Sequence, residues 1–129
     1  MYSGKFLYLT IQGDDFNPSD LQKSIKLPGK IYFKNEINYV GNIKKRCIQK
    51  TNRWVYSFIA QDEQNINSFL LNQLELIIKY KNILSDFISK YNTKFDLVIY
   101  IDNKVNIKLS KKILYLINQL GLDISISII

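Results

Sequence analysis

The chain has 129 residues, 47% hydrophobic and 22% charged, which fits one globular domain with its own core and excludes a disordered chain. It has no histidine and a single cysteine, Cys47, which excludes an internal disulfide, Ser/His/Asp or Cys/His nucleophilic pairs, and clustered His/Cys zinc sites. The formal net charge is +7, and residues 21–53 hold more than all of it, nine cations against one acid: Lys23, Lys26, Lys30, Lys34, Lys44, Lys45, Arg46, Lys50 and Arg53 against Glu36 alone.

Residues 5–12 alternate as a strand, with Phe6, Tyr8 and Thr10 on one face and Leu7, Leu9 and Ile11 on the other. Gly13-Asp14-Asp15 stops it. Asn17 and Pro18 then read as a cap and first residue of a short helix carrying Leu21 and Ile25, ended by Pro28-Gly29. Ile31-Tyr32-Phe33 reads as a short strand, residues 35–42 as polar turn, and Ile43 to Lys50 as the second strand of a hairpin with an exposed Lys-Lys-Arg centre. Trp54 to Ala60 alternates as a further strand.

Residues 65–91 follow helical spacing in two apolar stripes, with Tyr80-Lys81-Asn82 as a bend or a division. Phe95 to Asp102 is nearly continuously apolar, which predicts a central strand buried on both faces. A turn follows at Asp102-Asn103-Lys104. Ser110 caps a helix that Gly121 stops at its C′ position, and Leu122 to Ile129 closes as an alternating strand with one wet face.

The order predicts an α+β fold in one domain spanning 1–129: a largely antiparallel sheet of five to six strands with helices packed on one face, ending in a strand–helix–strand unit. That unit is a right-handed parallel crossover if its two strands share the sheet. No apolar run reaches the ~20 residues of a membrane span, and Met1 to Lys5 has no secretory pattern, so a cytoplasmic protein without membrane contact is expected.

Three groups of residues invite a functional reading. Lys44, Lys45, Arg46, Lys50 and Arg53, with Tyr32, Tyr39 and Trp54, form a candidate aromatic-basic surface for a protein or nucleic acid. The plainer readings are that Trp54 and Tyr56 face the core, and that the lysines reflect an AT-rich genome. The chain indeed has 21 Ile, 16 Lys and 13 Asn but one Ala. Asp14 and Asp15 form a weak acidic cluster that could hold a hard cation, although Gly-Asp-Asp is also ordinary turn chemistry. Cys47, with Lys44, Lys45 and Arg46 beside it in sequence, is a candidate reactive thiol, yet a half-buried strand cysteine is the simpler expectation.

The segment Leu9 to Leu21, with its strand, Gly-Asp-Asp turn and Pro-containing helix start, resembles the opening of the bacterial domain-of-unknown-function family 4279. Trp54-Val55-Tyr56-Ser57, the Leu-rich stretch 66–90, Leu109 to Leu114 and Leu120 to Ile126 continue the resemblance over most of the chain. Order and spacing carry it rather than any one motif. It implies no reaction, ligand or catalytic residue. Small stand-alone bacterial families often sit beside toxin–immunity or phage-defence genes, an analogy only.

Together these features point to a non-enzymatic protein-binding module without a cofactor or metal, in its most concrete form an immunity or inhibitor protein that neutralises a toxin or defence-related partner. An acidic protein partner suits the basic segment, and a homodimer is compatible with the helical stripes. The alternative is nucleic-acid binding through residues 21–53. An enzyme using Asp14 and Asp15 with a divalent metal stands third.

Overall fold

The alternation of the first strand sorts the whole molecule into two faces. A computed structural model describes residues 4–40, 45–60, 65–100 and 107–129. In β1 (Gly4–Gly13), Leu7, Leu9 and Ile11 are buried, whereas Phe6, Tyr8 and Thr10 are half-buried. β1 pairs antiparallel with β5 (Asn52–Ala60) on one side and β6 (Asn92–Tyr100) on the other. β2 (Lys30–Tyr32) pairs antiparallel with β5 at one edge, and β7 (Ile124–Ile128) pairs parallel with β6 at the other. The result is a five-stranded sheet of order β2-β5-β1-β6-β7.

Register builds the core. Ile11 faces Trp54 across the ladder, Leu9 lies between Tyr56 and Phe95, and Leu7 lies opposite Leu97. These residues share the face that the helices cover. Helices α1 (Pro18–Ser24), α2 (Ile66–Ile78), α3 (Lys81–Lys90) and α4 (Lys111–Gln119) bury Leu21, then Phe69, Leu70, Leu74 and Ile77, then Leu84, then Ile113 and Ile117. Each fully buried large apolar side chain contributes roughly 1.5–3 kcal/mol. The Phe69 ring packs 5.9 Å from Phe58 of β5, and Phe16 packs against Phe87 and Tyr91 of the α3 end.

Caps set the helix limits. Asn17 Oδ1 accepts the Ser19 N–H at 3.0 Å with Pro18 as first residue, Asn65 caps α2, and Ser110 Oγ accepts the Ile113 N–H. Gly121, at φ 69°, ends α4 in a Schellman arrangement: its N–H donates to Asn118 and the Leu122 N–H to Ile117. The fold is therefore the expected α+β class: a largely antiparallel sheet, helices on one face and a strand–helix–strand ending. No helix among the described residues is long and apolar enough to cross a membrane.

Several local expectations need correction. α1 stops at Ser24 instead of reaching Pro28-Gly29, because Ile25 turns extended and the Gln22 amide takes up the polar groups that follow. Residues 35–42 are not all turn: Ile37–Val40 is strand β3, and the hairpin partner of β4 (Lys45–Ile48) is β3, not residues 31–33. The helical stretch, by contrast, divides in two as one of the two expected outcomes, at Lys79–Tyr80. β6 is not buried on both faces: Phe95, Leu97 and Ile99 are buried, and Asp96, Val98 and Tyr100 only half so. Cys47 is exposed, because its strand belongs to a separate two-stranded sheet. In β7 the apolar face is itself exposed from Ile126 onward. The turn expected at 102–104 lies outside the described residues.

A candidate interaction surface on the two-stranded arm

Beyond the β2/β5 edge the chain runs out into a separate ribbon, β3 and β4. Its root is tied by backbone hydrogen bonds. The Asn35 N–H donates to the Gln49 carbonyl, and the Gln49 N–H to the Glu36 carbonyl, both at 2.9 Å. Asn35 sits at φ 70°, a left-handed conformation that asparagine tolerates, and so turns the chain from β2 into β3. Below it, Asn52 clips two segments together: its Oδ1 accepts the Lys34 N–H at 2.7 Å, and its Nδ2 donates to the Asp14 carbonyl at 3.0 Å.

Antiparallel pairing sets Ile37 opposite Ile48 and Tyr39 opposite Arg46. Alternation puts all four on one face of the ribbon. They are open to solvent: Ile37 is 47% exposed, Ile48 54% and Tyr39 67%, and Arg46 is exposed as well. An isolated two-stranded ribbon is marginally stable in water, so this apolar face is an unfavourable place to leave isoleucine unless something covers it.

At the foot of the arm lies a cleft of about 240 Å³, lined by Gln12, Cys47, Ile48, Gln49, Lys50, Thr51 and Arg53. Arg53 has two partners there. One of its guanidinium nitrogens donates to Gln49 Oε1 at 2.8 Å, and the guanidinium carbon lies 4.6 Å from the Tyr32 ring centre. Lys30 Nζ sits 5.2 Å from the same ring. Gln49 is only 6% exposed, so its bond to Arg53 satisfies an otherwise costly buried amide.

The expected site residues are thereby sorted. Tyr39, Arg46 and Lys50 are exposed on the arm and its foot, and Lys30, Tyr32 and Arg53 gather beside them at the sheet edge. Lys45 joins β4 by its backbone, opposite Val40. Lys44 lies outside the described residues. Trp54 leaves the candidate surface: it is 0% exposed, on the core face opposite Ile11. Asp14 and Asp15 are exposed turn residues, and the Asp14 carboxylate lies 3.5 Å from Lys34 Nζ. Among the described residues no three His, Cys, Asp or Glu side chains converge as a metal-binding group.

Sequence reasoning passed over Ile37 and Ile48. The signal was present, since Ile37 and Tyr39 alternate inside an otherwise polar stretch. It also passed over Gln73, which is 3% exposed and accepts the Tyr56 hydroxyl at 2.8 Å. Burial of that phenol pushes its pKa above the usual tyrosine range.

Among the described residues these elements define an α+β fold with an open five-stranded sheet, four helices against one face, and a two-stranded arm at one edge. The chain belongs to the family described as Domain of unknown function (DUF4279), whose model matches residues 3–129. No curated protein and no solved structure matches it.

Proposed function

We propose that this protein is a non-enzymatic protein-binding module, an immunity or inhibitor protein that acts in the cytoplasm by laying its β3–β4 arm against an acidic partner. One observation carries the reading: Ile37, Tyr39, Arg46 and Ile48 present a solvent-exposed apolar, aromatic and guanidinium face on a ribbon that stands off the core. Tyrosine and arginine are the residues that anchor protein interfaces, and flanking apolar contacts exclude water from them. The cations around the arm, Lys30, Lys34, Arg46, Lys50 and Arg53, supply the steering field for an acidic surface. A ribbon of this kind suits inhibition because it can enter a cleft that a flat sheet cannot.

Nucleic-acid binding fits less well. Stacking needs free ring faces, yet Trp54 is in the core and Tyr32 already stacks beneath Arg53. Of the rings named for that role only Tyr39 is broadly exposed.

The test is affinity capture from host lysate with and without nuclease, using the native chain and an Ile37→Asp/Tyr39→Ala variant. A stoichiometric protein retained through nuclease by the native chain, and lost by the variant, is the expected result. Recovery of nuclease-sensitive material alone would replace this reading with nucleic-acid binding. A partner held equally by the variant would remove the arm as its surface.

A further inference from the structure

The opposite edge of the sheet is built differently. Among the described residues β7 pairs with β6 alone. The Ile129 N–H donates to the Ile99 carbonyl at 2.9 Å. In a parallel ladder, residues bonded to one neighbour alternate with residues whose N–H and C=O point the other way. Ile129 bonds inward, so Ser125 and Ser127 do too. Ile124, Ile126 and Ile128 therefore direct their backbone N–H and C=O outward, away from β6.

Edge strands are normally defended by a lysine, a proline, an inward charge or a bulge. Ile124-Ser125-Ile126-Ser127-Ile128 has no charged residue and no proline, and it is the one strand of the five-stranded sheet without a charge. Its side chains are open as well: Ile126 is 38% exposed and Ile128 53%.

We propose that β7 pairs antiparallel with β7 of a second copy of this chain, about a two-fold axis through Ile126, so that two sheets become one. In this register Ile126 faces its own counterpart, and Ile124 of each copy faces Ile128 of the other. All three are residues with outward N–H and C=O, so each pair exchanges both backbone hydrogen bonds. Isoleucine meets isoleucine on the helix-covered side and serine meets serine on the other. A slip by one residue would set isoleucine against serine and turn the second copy's helices to the opposite side.

Charge selects this edge. Two copies at net +7 repel, and they approach most easily where neither carries charge. The other edge, β2, is short and bears Lys30. Pairing through β7 leaves both arms free at the far edges, so the dimer and the arm reading stand or fall separately.

The two-fold axis gives the test its specificity. Sedimentation equilibrium of the native full-length chain is expected to show twice the 15.2 kDa chain mass, with dissociation on dilution. Ile126→Lys and Ile126→Glu each place like charges opposite one another, so each variant alone should show the single-chain mass. An equal mixture of the two should regain the doubled mass, because Lys then faces Glu. A native chain that stays single at every concentration overturns the proposal. So does doubled mass in either variant alone, or a mixture that stays single.

Should the variants not fold, hydrogen exchange on the native chain decides. Amides of Ile124, Ile126 and Ile128 should lose protection on dilution, while Ser125 and Ser127 keep theirs. Equal behaviour of the two sets overturns the pairing, and protection of the isoleucines only in the presence of a captured protein would assign the edge to that partner instead.

Discussion

The Trp54 indole N–H donates to Gln22 Oε1 at 2.8 Å, across 32 positions of sequence. The same oxygen accepts the Gly29 N–H at 2.9 Å, and Gln22 Nε2 donates to the Leu27 carbonyl at 2.8 Å. One amide thus satisfies a buried indole, closes the exit from α1 and fixes the approach to β2. Gly29 lies against the Trp54 ring so closely that any Cβ there would overlap the indole. The stretch from Gln22 to Gly29 is therefore a latch on the core tryptophan, and it positions the basic edge from which the arm departs.

Breaking the latch should destabilise the fold. Gln22→Leu removes the acceptor and leaves the indole and Gly29 N–H groups unpaired, each worth about 1–3 kcal/mol. Gly29→Ala forces the indole or the backbone to shift, an overpacking loss of roughly 1–3 kcal/mol. Urea denaturation should show a lower midpoint for both with an unchanged slope. A midpoint for Gln22→Leu equal to the native one would mean that the amide does not hold the tryptophan.

The buried pair Tyr56 and Gln73 sets an alkaline limit. Burial raises the folded pKa of the Tyr56 phenol, so the folded state holds its proton more tightly than the unfolded state. Below about pH 10 the phenol is neutral in both states and no stability is lost. Above it the unfolded chain ionises first, and stability should fall until the pH passes the raised folded value. Tyr56→Phe should lose about 1 kcal/mol at neutral pH, through the unpaired Gln73 oxygen, and lose less of its own stability above pH 10. Identical alkaline slopes for the two proteins would refute the assignment.

What the sequence makes legible follows the range of the forces. Leu7 to Ile11 and Trp54 to Phe58 announce strands by alternation, and Asn17, Ser110 and Gly121 announce helix limits, because caps and two-residue periods are local. Strand β3 leaves only a short local signal, the alternation of Ile37 and Tyr39 among asparagines, since what makes it a strand is the ladder with Arg46 to Ile48, a tertiary gain. The end of α1 is misread for a similar reason: the Gln22 side chain acts after the helix, where Pro28-Gly29 look like the stronger signal. For the site, the residue types of Tyr39 and Arg46 suffice to nominate them. Ile37 and Ile48 cannot be found that way, because an apolar residue reads as core until the fold shows what fails to cover it.

Cys47 offers a direct probe of the arm. It is exposed on β4 and forms part of the cleft wall beside Lys50 and Arg53. A thiol reagent should modify it stoichiometrically in the native protein, without denaturant and without lowering the unfolding midpoint. Alternation sets Cys47 on the face of the ribbon opposite Ile37, Tyr39, Arg46 and Ile48, so a bulky maleimide there should leave partner binding largely unchanged. Slow labelling that needs denaturant would put Cys47 in a protected place, and binding lost on labelling would bring the opposite face of the ribbon into the interface.

Salt should separate steering from anchoring. With a Debye length of about 30 Å at 0.01 M salt and about 8 Å at 0.15 M, the cations flanking the arm act at a distance only in dilute salt. The association rate with an acidic partner should therefore fall by roughly tenfold or more over that range, while the dissociation rate changes little. Lys50→Glu should lower the low-salt association rate part of the way toward the high-salt one, because Lys50 is one of several exposed charges around the arm. Ile37→Ser should act oppositely, leaving association nearly intact and raising the dissociation rate, because it changes no charge and Ile37 makes its contribution only after contact. Surface plasmon resonance across a salt series reads both rates. A flat association rate would strip the basic segment of its steering role, and a variant at Ile37 with native dissociation would strip the arm of its anchor.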